Sequence, residues 1–224
     1  MLDNAEINGL NGPAIQASPA SVSDLMITGG TRLNGGNATL LQASDSTVTM
    51  TVDGSSLSGN IDATEASTVS VTLQNQAVLT GQLKNVDALV VDSGAEWSMT
   101  GNDAVGSLSV NNGRIRFGDA GSFHELWLGT LSGGGTLLMN AEFTCQHDYL
   151  TVAGEATGSH GLLITSRGVD PAADTEIPVV HIGLAAAGDR TRSLLGKVGT
   201  TLGVDLHVGN GTHRAALCSS CLRS

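Results

Sequence analysis

Apolar and polar residues alternate along most of this chain. Val48, Met50 and Val52 are spaced by two, as are Val69, Val71 and Leu73, and the pairs Leu89/Val91, Leu108/Val110, Leu126/Leu128 and Leu150/Val152 continue the pattern. Period two sends successive side chains to opposite faces, which predicts short, half-buried strands. No stretch keeps a 3.6-residue apolar period for the length of an ordinary helix, and Ala185-Ala186-Ala187 stops at Gly188. The strands also recur. Ser46-Thr47-Val48-Thr49-Met50-Thr51-Val52 returns as Ser67-Thr68-Val69-Ser70-Val71-Thr72-Leu73, and Leu57-Ser58-Gly59 matches Leu79-Thr80-Gly81 and Met99-Thr100-Gly101. The period drifts around ~20 residues, in the range of stacked repeats.

A repeat this short cannot bury its own apolar face and must stack on its neighbours. The fold predicted is all-β: a right-handed, single-stranded parallel β-helix, a solenoid whose coils pair at ~4.8 Å. Residues 22–168 supply roughly seven coils on that period. Residues 1–21 read as an irregular N-terminal segment, 22–121 as coils, 122–211 as a distinct C-terminal β-helical region, and 212–224 as an irregular tail. No Leu-x-x-Leu-x-Leu-x-x-Asn frame and no calcium-binding nonapeptide is present, which argues against leucine-rich repeats and calcium β-rolls.

Composition sharpens this picture. Gly is abundant at 30 residues and Pro scarce at 4, as many short strands joined by tight turns require. The formal charge of −11 leaves no basic surface for nucleic acid or anionic lipid, so neither is expected as a partner. Three cysteines, Cys145, Cys218 and Cys221, do not make a disulfide framework. The first residues lack the basic and apolar regions of a signal peptide, and no apolar run suits a transmembrane helix. The expectation is a piece of a longer protein that does not itself insert into a membrane. The aromatic residues, Trp97, Phe117, Phe123, Trp127, Phe143 and Tyr149, all fall within one third of the sequence. Large rings bury the most area per residue, which predicts a better-packed C-terminal half.

Glu96-Trp97-Ser98-Met99-Thr100-Gly101 resembles the W-x-M-T-G coil of pertactin-like autotransporter passengers. Val105 to Phe117, Leu131-Ser132-Gly133-Gly134-Gly135-Thr136-Leu137, Asp148-Tyr149-Leu150-Thr151-Val152 and Gly154 to His160 continue the likeness in order over residues 86–170. The resemblance implies a long β-helical passenger carried to the cell surface by a C-terminal outer-membrane barrel. It also implies that 122–170 and onward is an autochaperone that folds first and templates the coils behind it. Trp97, Phe117, Phe123, Trp127, Leu137, Phe143, Tyr149 and Leu150 are the candidates for that nucleus, and Gly133-Gly134-Gly135 the candidate for a positive-φ turn. Adhesion, surface ligands on host or bacterial cells, a translocator β-barrel encoded by the full gene, and a cell-surface or extracellular location follow from the resemblance alone.

Candidate chemistry is sparse. Gly118-Asp119-Ala120-Gly121-Ser122 is similar to a protease Gly-Asp-Ser-Gly motif but places Ala120 at the nucleophile position, so no enzyme is expected. Asp53, Gln74, Asp92 and Asn111 each follow the last inward residue of an equivalent strand. They read either as a turn ladder or as a carboxylate column with catalytic or Ca²⁺-binding use. His207, His213, Cys218 and Cys221 include zinc-ligand types at unsuitable spacing. No cofactor or metal is expected. A β-helical polysaccharide-acting enzyme and an inert remnant of a truncated autotransporter gene stay open as alternatives.

Overall fold

The computed structural model describes residues 1–142, 146–167, 176–184, 192–195, 201–208 and 214–218. Among them every regular element is a strand. The strands stack in parallel, coil on coil, into a solenoid of about seven turns. The coils as far as Leu83–Lys84 present three faces.

The long face is built from Val22–Thr28, Thr47–Asp53, Thr68–Gln74, Val86–Asp92 and the first half of Asp103–Arg116, followed by the first half of Glu125–Glu142 and by Tyr149–Glu155. Its registers place Leu25, Met50, Val71, Leu89, Leu108 and Leu131 in one line across successive coils. The second face aligns Leu57, Leu79, Trp97, Ile115, Leu137 and Leu162. The third face is a four-stranded sheet of Ile15–Ala17, Thr39–Ala43, Asn60–Ala63 and Leu83–Lys84. Strands of period two leave one apolar row facing in, and the three rows meet as one buried core.

Turns absorb the variable repeat length. Ser70 stands opposite Ala88, 18 residues on, while Val22 stands opposite Thr47, 25 residues on. The chain leaves the long face through positive-φ residues at Gly54, Asn75, Ser93 and Asn112. Gly, and less readily Asn, accept that geometry. Backbone bonds then stack one turn on the next, Gly54 N–H donating to Gln74 O and Ser93 N–H to Asn111 O.

Four features depart from the sequence reading. Residues 1–21, expected to be irregular, form a first coil: Glu6–Gly9 pairs with Arg32–Gly35, and Ile15–Ala17 with Thr39–Ala43. Their apolar residues are too few to mark a strand, yet the coil above supplies the ladder. Leu79 stacks on Trp97, not on Met99. Both registers keep the same face inward, and the whole-coil fit chooses between them. Only Gly133 of the glycine triplet has positive φ, +91°. Gly134 and Gly135 lie inside a continuous strand, where a Cβ on Gly135 would strike Val110 and Gly113 of the coil beneath. Finally, Arg214–Cys218, within the expected irregular tail, forms a strand antiparallel to Glu176–Leu184, and Thr201–Val208 runs antiparallel to Gly158–Arg167. The parallel stack therefore ends on antiparallel strands, which pair with edges that would otherwise be open.

Candidate functional site

The residues singled out for the folding nucleus divide by face. Trp97, Phe117, Leu137 and Leu150 are fully buried. Trp97 also donates its indole Nε1–H to Gly81 O at 3.0 Å. Phe123 and Tyr149 are half-buried, with the Tyr149 ring edge-on to His147 at 6.1 Å. Phe143 lies outside the described residues. Trp127 stands apart: it is 41% exposed, because Leu126 and Leu128 take the inward places on either side of it. The same alternation that marks the strand puts this ring outside.

Acidic side chains cap the solenoid where backbone partners run out. Asp148 is buried and accepts the backbone N–H groups of His124 at 2.6 Å and Asn140 at 2.5 Å, with the Asn140 amide at 3.3 Å. Asp87 accepts Val69 N–H at 2.7 Å. Asp103 accepts Leu83 N–H at 2.9 Å. That last contact closes the third face, because Leu83–Lys84 is the outermost strand of its sheet and Asp103 supplies the acceptor that another strand would have offered.

Burial pushes the Asp103 carboxyl up to about 7 from 3.8, against the pull of Leu83 N–H. Burial also raises Asp148 to about 7 despite its three donors. A folded-state value above the unfolded one means that the folded chain holds the proton more tightly. The resulting stability is fully present below pH 3.8 and is lost as pH rises through about 7. Replacing Asp103 with Asn removes this titration. Thermal melting followed from acid to mildly alkaline pH should show the unaltered protein losing stability relative to Asp103→Asn as pH rises. Parallel curves would contradict the assignment.

The polar column is a turn ladder. Gln74 Nε2 donates to Asp53 Oδ2 at 2.9 Å, and Asn75 Nδ2 to Asp53 Oδ1 at 2.9 Å. These two bonds, Asn75 first, hold the Asp53 carboxyl below its ordinary value. Asp92 accepts its neighbour Ser93 N–H at 2.6 Å, and Asn111 donates to Ser109 Oγ at 3.3 Å. Gln74, in register with Asp53, puts an amide at the next step of the ladder where a stacked carboxylate would stand. Gly118 to Ser122 is a turn, closed by Ser122 N–H on Asp119 O at 3.0 Å, with Gly118 and Gly121 at positive φ. His213, Cys221 and Cys145 lie outside the described residues. Among those described, no three His, Cys, Asp or Glu side chains gather as a metal site.

A cleft that the sequence reading did not single out runs along the third face. It measures about 410 Å³ and is bordered by Asn60, Asp62, Gln82, Lys84, Asn102, Asp103 and Trp127. Lys84 pairs with Asp62 at 3.4 Å. Asn60 Oδ1 accepts Gln82 N–H at 2.9 Å, and Asn102 Oδ1 accepts Glu125 N–H at 3.0 Å. Asp103 is 5% exposed, and its second oxygen, Oδ2, is buried without a partner. Trp127 is also a wall of a neighbouring, more apolar cleft with Val86, Ala104, Leu128 and Ala153. Period-two alternation identifies Trp127 as outward, but nothing local in the sequence brings Asn60, Gln82, Asn102 and Trp127 from four coils to one place.

Comparison with known proteins gives a consistent result. The sequence profile of the Pertactin family matches residues 105–206. The chain is 34% identical to the pertactin autotransporter of Bordetella parapertussis over 156 residues, 67% of this chain and 16% of that protein. It is 31% identical to the autotransporter adhesin/invasin TibA of Escherichia coli over 161 residues, 66% of this chain and 16% of that protein. It is 32% identical to the autotransporter CRAC of Citrobacter rodentium over 154 residues, 62% of this chain and 10% of that protein. The chain thus spans a small part, 10% to 16%, of the length of these relatives.

Proposed function

This chain is a pertactin-like autotransporter passenger sequence, and from that premise we propose that it is a non-catalytic stretch of surface-displayed, adhesin-type β-helical stalk whose C-terminal coils are its folding nucleus. The observation that carries the reading is the unbroken second-face column from Leu57 through Trp97 to Leu162. A continuous core of this kind makes a rigid rod, and its two buried aromatic rings, Trp97 and Phe117, lie in its C-terminal part.

The pairing pattern supports a nucleus at that end. Leu126 pairs with Leu150, and Leu137 with Leu162, while the buried Asp148 ties His124 to Asn140. A stable coil offers a strand edge on which the next coil can add, so the costly first closure happens once. Trp127 contributes to this nucleus through its backbone pairing with Ala104 and Thr151, its side chain lying on the outer surface. The adhesin role is supported by the similarity to TibA, an autotransporter adhesin/invasin. The non-catalytic role is supported by Ala120 in the protease-like turn and by the hydrogen-bonded Asp53 ladder.

Refolding kinetics test the nucleus. Leu137→Ala and Leu150→Ala should slow refolding from urea nearly in proportion to their loss of stability. Met50→Ala and Val71→Ala, equally buried, should mainly speed unfolding. The reverse partition would move the nucleus to the N-terminal coils.

A further inference from the structure

Resting on the reading of this chain as a surface-displayed passenger, we propose that the third-face cleft binds an uncharged oligosaccharide, with Trp127 as the stacking platform and the side chains of Asn60, Asn102 and Asp103 as partners for its hydroxyl groups.

Three independent observations converge on the cleft. The first is Trp127, a large ring 41% exposed on a strand position where a polar residue would be the ordinary choice. Indole presents a flat apolar face with one polar edge, which suits the C–H face of a pyranose. The second is Asp103, whose Oδ2 is buried beside the cleft with no hydrogen-bond partner. A buried polar atom left unmatched is costly, and a sugar hydroxyl, which both donates and accepts, supplies the missing partner whether or not the carboxyl carries its proton. The third is the pair of amides. Asn60 and Asn102 each spend Oδ1 on a backbone N–H, which leaves their Nδ2 groups as donors at the cleft border.

Charge decides the class of ligand. The cation bordering the cleft, Lys84, stands beside Asp62 at 3.4 Å, so the border carries no net positive charge to select an anion. A cationic ligand would need an ionised carboxylate, but Asp62 is already paired and burial keeps Asp103 substantially protonated near neutrality. A neutral, hydroxyl-rich ligand meets amide donors, the Asp103 carboxyl and an apolar platform without an unmatched charge. Spacing points the same way. Asn60, Gln82, Asn102 and Trp127 come from successive coils, which repeat at ~4.8 Å. That step is comparable to the length of one pyranose unit, so a sugar chain lying along the solenoid axis meets one coil per unit. The cleft's 410 Å³ lies within the usual range for ligand sites.

Tryptophan fluorescence reads this directly, because the chain has 2 tryptophans and Trp97 is fully buried. The passenger is titrated with cellohexaose, chitohexaose, maltohexaose and xylohexaose, and with a sulfated oligosaccharide and oligolysine as charged controls. The expected result is saturable binding of at least one neutral hexamer, with Trp127 protected from acrylamide quenching. Trp127→Ala should weaken that binding by about tenfold or more and Trp127→Phe by less. Both variants should melt with the unaltered protein, since the ring is on the surface. The proposal is overturned if no neutral hexamer binds, if only a charged control binds, or if Trp127→Ala binds as before. Failure here leaves the refolding order untouched, and a reversed refolding order leaves the cleft untouched, so the two readings fail separately.

Discussion

Trp97→Ala should lower the unfolding free energy by about 5 kcal/mol. Trp97 is 0% exposed and sits in the second-face column between Leu79 below and Ile115 above. Truncating a buried Trp or Phe to Ala commonly costs ~3–5 kcal/mol in lost transfer energy and residual cavity. Losing the indole donor also strands the Gly81 carbonyl, for roughly 1 kcal/mol more. In a solenoid each coil touches only its neighbours, so the cavity should weaken the coupling between the coils on either side of it. Urea denaturation followed by far-ultraviolet circular dichroism should therefore show a lower midpoint and a broader, or split, transition. A loss under ~1 kcal/mol with an unchanged transition width would show that the column is not a shared core.

Gly158→Val should be the most damaging single glycine replacement, costing more than about 4 kcal/mol or preventing the last coils from forming. Gly158 has φ +99°, a region where a β-branched residue is an outlier. A Cβ built on it would also overlap the carbonyl of Gly133 in the coil beneath. Neither strain can be relieved by a rotamer change, because the obstructing atom is backbone. Gly121 separates the two causes. Its φ is +97°, but a Cβ there meets nothing within 4 Å, so Gly121→Val should show backbone strain alone, ~1–3 kcal/mol. Thermal melting of the two variants side by side measures the difference. Equal losses would mean that close approach of the coils adds nothing beyond the dihedral strain.

The two substitutions probe different requirements of one architecture. Trp97 widens the core, and Gly158 lets two coils approach until their backbones bond. Thr157 N–H donates to Leu131 O at 2.8 Å beside that glycine, so the contact Gly158 allows belongs to the same ladder that joins the C-terminal coils. The reading of these coils as a nucleus depends on both.

Period-two alternation in the sequence was enough to determine strands, their inward residues and the stacking of short repeats. Met50, Val71, Leu89 and Leu108 follow from it one by one, because side-chain direction along a strand is a local property. The same rule applied to Leu126 and Leu128 puts Trp127 outward, against its choice as a nucleus residue on ring size. Other features needed the whole fold. The choice of Trp97 over Met99 as the partner of Leu79 is invisible locally, since both share a parity and only the summed fit of a coil separates them. The first coil within residues 1–21 and the strand Arg214–Cys218 carry weak patterns and take their ladders from neighbours. The cleft is the extreme case. Asn60, Gln82, Asn102 and Trp127 are far apart in the chain and adjacent only because successive coils return each of them to the border of one cleft. Alternation is written residue by residue, whereas what stands beside what is decided by how many residues each turn absorbs.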